Sequence, residues 1–108
     1  MKRVSRVRGF EVYVPRNYDD GRPIPRKKIR RVKKRLNKFF PGVTEFHLRK
    51  RGWWKFEGIV YRDKITIFRI VTNKKRRARR LLGKLKERLK IALVQEEILI
   101  VERRVRTL

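Results

Sequence analysis

Two hydrophobic periods alternate along the chain. Phe10, Val12 and Val14 alternate with Glu11 and Tyr13, the two-residue period of a strand with one buried face. Pro15 ends that run, and Asn17-Tyr-Asp-Asp-Gly-Arg-Pro23 is built from turn residues. A helical period then takes over. Ile29, Val32, Leu36, Phe39 and Phe40 fall on one stripe, so a helix is predicted from about Pro25, where a missing N–H is tolerated, to the Pro41-Gly42 stop. Val43 to Arg51 reads as a strand, with Thr44, Phe46 and Leu48 on one face and Val43, Glu45, His47 and Arg49 on the other. Gly52 marks a turn, Trp53-Trp54-Lys55-Phe56 leads into Gly58, and a strand is expected from about Ile59 to Val71, with an interruption near Arg62-Asp63. Ala78, Leu81, Leu82, Leu85 and Leu89 make a second helical stripe behind Asn73, the expected N-cap. Glu97-Ile-Leu-Ile-Val-Glu102 closes the pattern as a short strand.

The order β-α-β-β-α-β predicts an α+β, ferredoxin-like fold: a four-stranded antiparallel sheet with two helices on one face. Residues 9–102 form one domain in this reading, between a basic N-terminal arm (1–8) and a basic C-terminal tail (103–108). No repeat or internal linker interrupts it.

Charge changes the picture from a fold to a partner. The 108 residues hold 35 Lys and Arg against 10 Asp and Glu, a formal net charge of +25. Such an excess repels itself unless a polyanion neutralises it. Its distribution is sharper still: Arg26 to Lys38 holds nine basic residues and no acid, and Lys74 to Lys90 holds ten with Glu87 alone opposed. Ordinary solvated helices mix signs, because opposite charges four residues apart stabilise and like charges destabilise. Two helices without acids imply a surface kept positive for a ligand. The expected contacts are Lys27, Lys28, Arg30, Arg31, Lys34 and Arg35 on the first helix, and Lys74, Lys75, Arg76, Arg77, Arg79 and Arg80 on the second. Arg49, Lys50 and Arg51 beside Trp53 and Trp54 interleave cations with aromatics, a combination suited to stacking on unpaired bases, as is Tyr13 on the first strand.

Other chemistries have little material. Cysteine is absent, which removes disulfides and thiolate sites, and a single histidine, His47, makes neither a triad nor a His-based metal site. Asp19, Asp20 and Asp63 are the carboxylates a metal-dependent nuclease would use, although Asp-Asp-Gly between Asn and Pro is also an ordinary turn. No cofactor is expected. No run approaches the ~20 apolar residues of a membrane helix, and the basic start lacks an apolar signal core, so the expected location is cytoplasmic and no membrane is expected as a partner. Helix-turn-helix, zinc-finger, basic-zipper and RRM signatures are missing. Low Met and Gln with no Cys suit a thermophile.

Two resemblances add to this reading. Val14-Pro-Arg16, Gly21-Arg-Pro23, Phe40-Pro-Gly-Val-Thr44, Gly52-Trp53, Tyr61-Arg-Asp63 and Gln95-Glu96 resemble the landmarks of a family of small uncharacterised prokaryotic proteins. That resemblance implies a ferredoxin-like fold and carries no site residues; the basic helices depart from it. In size and composition the chain is similar to ribosomal proteins of thermophilic archaea. The resulting expectation is a non-enzymatic RNA-binding structural protein, ribosomal or ribosome-associated, contacting rRNA phosphates through both helices. RNA is favoured over DNA, and other ribosomal proteins are further expected partners. A metal-dependent nuclease or other nucleic-acid-processing enzyme, and a DNA-compacting protein, are the alternatives.

Overall fold

The computed structural model describes residues 7–49, 54–56, 59–61 and 64–108, with backbone alone at 54–56 and 59–61. Its elements are β1 (Arg8–Pro15), α1 (Arg26–Phe39), β2 (Val43–Arg49), β3 (Trp54–Phe56), β4 (Ile59–Tyr61), β5 (Lys64–Thr72), α2 (Lys75–Ala92) and β6 (Leu99–Arg104). Strands β2, β5, β1 and β6 lie side by side in that order, each pair antiparallel. This is the ferredoxin-like α+β architecture, with one addition. The strand expected over 59–71 is two strands, and β4 pairs with β3 as a separate two-stranded sheet with Trp54 opposite Tyr61.

The register sorts side chains by face, because directly opposed residues point the same way. Val12 opposes Phe68, Phe10 opposes Ile70 and Val14 opposes Thr66. These join Ile29, Val32, Leu36 and Phe40 of the first helical stripe and Ala78, Leu82, Leu85 and Leu89 of the second in one core, where Val12 and Phe68 have no exposed surface. Both helices therefore cover one face of the sheet. Glu11, Tyr13, Ile67 and Arg69 belong to the other, open face, as do Phe46 and Leu48.

Element ends depart from sequence expectation for local reasons. Pro25 occupies the N-cap of α1 rather than its first turn, and no side chain caps the helix. Lys74, not Asn73, is the N-cap of α2, and no side chain caps the helix; the Thr72 hydroxyl accepts the Lys74 N–H at 3.1 Å just before it. Gly42, at φ +74, provides the left-handed residue that reverses the chain after α1. At the end of α2 the same task falls to Val94 at φ 50, with the Gln95 N–H donating to the Lys90 carbonyl at 2.8 Å. A β-branched residue is costly there, which explains why no glycine signal announced this helix end. β6 begins two residues after the expected start at Glu97 and continues through Arg104.

Candidate anion-binding surface

The two helices carry nine Lys and Arg each. Four of these find carboxylates: Lys33 with Glu45 at 3.1 Å, Arg79 with Glu102 at 2.6 Å, Lys86 with Glu97 at 3.0 Å and Lys90 with Glu87 at 3.3 Å. The others have no carboxylate partner among the described residues. Arg26–Arg30, Lys27–Arg31, Arg30–Lys34, Arg31–Arg35 and Lys34–Lys38 set like charges four residues apart along α1. At about 0.2–0.5 kcal/mol each, these repulsions are a standing cost of roughly 1–2.5 kcal/mol in the free protein. No acid sits in the first turn of either helix, so the positive end of each backbone dipole faces further cations.

Of the predicted contact residues, Lys27, Arg30, Arg31, Lys34 and Arg35 on α1 and Arg76, Arg77 and Arg80 on α2 are exposed and brought onto one helical layer. Lys74 and Lys75 lie at its α2 end. Two others are committed elsewhere. Lys28 donates to the Tyr18 hydroxyl at 3.1 Å and the Ala92 carbonyl at 3.2 Å, tying the start of α1 to the end of α2. Arg79 grips Glu102 with Nε and Nη2, at 2.6 and 2.7 Å. Hydrogen bonding to Arg79, more than burial opposes it, holds the Glu102 carboxyl below its usual range. Lys50, Arg51 and Trp53 lie outside the described residues, and Trp54 is placed by its backbone in β3. Between the helices runs a groove of about 220 Å³ floored by Leu36, Leu82 and Leu85 and flanked by Arg35, Lys84 and Arg88.

The open face of the sheet treats charge differently. Glu11 is buried and accepts from Arg69 at 2.7 Å and from Arg103 at 2.9 Å. Burial pushes its carboxyl up, but the two guanidiniums outweigh that and hold it below the usual range. Arg69 also lies 4.7 Å from the centre of the Phe46 ring. Tyr13, expected as a stacking residue, has its hydroxyl 3.4 Å from Glu11.

A second concentration of cations was not anticipated. An open basin of about 510 Å³ lies where the ends of β2 and β5 meet the start of α1, lined by Arg16, Arg26, Arg30, Arg49 and Lys64 with Glu45 and His47. Arg49, a predicted contact, belongs here rather than to the helical layer. Arg16, Arg26 and Lys64 were missed because they are far apart in sequence, and no spacing rule joins them. His47 lies on the helix-facing side of β2 yet stays exposed, because β2 is an edge strand. Its Nε2 approaches Glu45 at 2.6 Å. Burial acts to raise the Glu45 carboxyl, but Lys33 and then His47 lower it further than burial raises it.

The expected metal ligands do not assemble. Among the described residues no three His, Asp or Glu side chains are grouped to hold a metal. Asp20 belongs to a turn, accepting from the backbone N–H and Nε of Arg22 at 3.0 and 2.6 Å, while the Gly21 N–H donates to the Tyr18 carbonyl. Asp63 lies outside the described residues.

No protein-family model matches this chain, and no curated protein matches it in sequence. A solved structure does match: CutA, the periplasmic divalent cation tolerance protein of Archaeoglobus fulgidus, at a TM-score of 0.57 and 14% identity, over 94% of this chain and 87% of that one. At that identity the likeness is one of fold. It nevertheless overturns the expectation of an RNA-binding ribosomal protein, because the structure matched over nearly the whole chain is that of a cation tolerance protein. The ribosomal reading rested on size and composition, and a net charge specifies the sign of a partner without specifying an assembly.

Proposed function

We propose that this chain is a non-enzymatic polyanion-binding protein that uses its helical layer to hold an extended phosphate polymer by charge. The observation that carries the reading is the unneutralised layer itself. Cations spaced along two helices and lacking carboxylates meet a charged backbone at many points and release its condensed counterions. Binding without catalysis is favoured because five of the described acids already have structural work: Glu11, Glu45, Glu97 and Glu102 are ion-paired and Asp20 forms a turn. The cation tolerance in CutA's name is not carried over, since a strongly positive surface repels free divalent cations.

The test is a salt titration of binding to long-chain inorganic polyphosphate. A steep fall of affinity with salt is expected. The triple variant Arg76→Gln/Arg77→Gln/Arg80→Gln should lower the slope by about one unit per lost contact. Affinity insensitive to salt, or a slope unchanged in the variant, would refute this reading.

A further inference from the structure

We infer that the basin at the end of β2 and β5 is a discrete binding site for a phosphate monoester, adjoining the polymer-binding layer and sharing Arg30 with it. Its chemistry is anion recognition by convergence. Arg16 enters from the loop after β1, fixed there by the Ile24 N–H, which donates to the Arg16 carbonyl at 2.8 Å. Its Nη1 reaches the buried Thr66 hydroxyl at 3.3 Å and His47 Nδ1 at 3.5 Å. Its Nε is buried and has no hydrogen-bond partner among the described residues. An orphaned guanidinium N–H is costly unless a ligand completes it. His47 lies between the two groups, with Nε2 2.6 Å from Glu45 and Nδ1 3.5 Å from Arg16 Nη1, so its ring helps to orient the fork.

The remaining cations come from independent elements, and each sits where the fold alone disfavours it. Arg49 and Lys64 are directly opposed across the β2–β5 ladder, a like-charge cross-strand pair. Arg26 and Arg30 stand one turn apart at the uncapped, acid-free start of α1. The one carboxylate in the basin, Glu45, is already held by Lys33 and His47 and neutralises none of these. An anion seated among Arg16, Arg30, Arg49 and Lys64 relieves both like-charge juxtapositions at once. Donors arriving from a floor, a helix and two strand ends suit the tetrahedral oxygens of a phosphate better than a planar carboxylate, which one fork satisfies. Ile29, Leu48 and Ile65 complete the wall. The ligand is therefore an organic phosphate, with the dianion on the arginines and a small apolar body against Ile29, since Leu48 and Ile65 border the basin while their side chains belong to the open face of the sheet.

Calorimetric titration of the full chain with phenyl phosphate, inorganic phosphate and phenol tests the site. Phenyl phosphate should bind one to one and more tightly than inorganic phosphate, and phenol should not bind. His47 is the sole histidine, so its ring resonances report occupancy without ambiguity. Arg16→Lys, which keeps the charge and removes the fork, should weaken binding about tenfold or more. Arg49→Gln, at an exposed position, should weaken it without touching the buried Thr66 contact. The triple variant on α2 should leave phenyl phosphate binding unchanged, so failure of this site is distinguishable from failure of the helical layer. Absence of saturable binding, several equivalent ions bound per chain, or affinity unchanged in both Arg16→Lys and Arg49→Gln would overturn the site. Equal affinity for inorganic and phenyl phosphate would overturn the apolar part of the assignment.

Discussion

On the open face of the sheet Arg69 and Arg103 converge on Glu11, whose side chain is 6% exposed, and every polar atom of that carboxylate is occupied. On the opposite side, α1 presents nine cations and, among the described residues, a single ion pair, Lys33 with Glu45. The residue types are the same and their situations are not. Where a guanidinium has a buried carboxylate it belongs to the fold, and its removal is a question of stability. Where cations repel one another across successive turns, the free protein is less stable for having them, and the compensating charge has to arrive from outside. The basin combines both conditions, since Glu45 is saturated by structural partners while five surrounding cations are not.

The largest expected effect comes from breaking the saturated side. Glu11→Gln should destabilise the fold by about 1–3 kcal/mol, since the buried side chain loses its charge and turns an NH2 donor toward one of the two guanidiniums in place of an acceptor. Denaturant unfolding reads this directly. The pH dependence has a definite sign. The folded Glu11 carboxyl titrates below the ordinary value of 4.5. Its contribution is therefore complete above that value and is lost as pH falls through the lowered folded one. Wild type and Glu11→Gln should differ most near neutrality and converge in acid; a gap that persists there would mean that the pair is not what Glu11 supplies.

A smaller effect of opposite sign is expected on the helical side. Lys34→Glu exchanges two repulsions, with Arg30 and Lys38, for two attractions. It should stabilise the free protein by about 0.8–2 kcal/mol while weakening binding to polyphosphate. A variant that gains stability and loses binding is the signature of charge kept for a ligand; loss of both would place Lys34 among the structural residues. The mildest perturbation is salt. Added sodium chloride should raise the thermal midpoint of the unliganded wild type by screening α1, with a smaller gain in Lys34→Glu. The difference between wild type and Glu11→Gln should stay nearly constant, because a buried pair is screened far less.

The apolar periods carried most of this fold. The Ile29-Val32-Leu36-Phe40 and Ala78-Leu82-Leu85-Leu89 stripes are helical in sequence and buried in the structure, because a helix that packs on a sheet must present one face to it. Phe10, Val12 and Val14 behave as a strand for the same reason. Less was legible where pairing rather than periodicity decides. The break at Arg62-Asp63 marks the division of Ile59 to Val71 into β4 and β5, but nothing in that run shows that β4 pairs with β3 instead of joining the main sheet. The end of α2 is hidden because Val94 holds a conformation that sequence rules reserve for glycine.

For the charged residues the division falls elsewhere. Sequence alone determined that this chain is strongly positive, that α1 and α2 hold most of that charge, and that the two helices are nearly without acids, because local composition survives any folding. Tertiary structure decided which cations are spent. Arg79 and Lys28 are taken by Glu102, Tyr18 and Ala92, partners 23, 10 and 64 positions away. Arg16, Arg49 and Lys64 became neighbours because β2 and β5 pair and the loop after β1 folds across their ends. A helix fixes neighbours three and four residues apart, but a site drawn from a loop, a helix and two strands exists only once the sheet has closed its long-range registers.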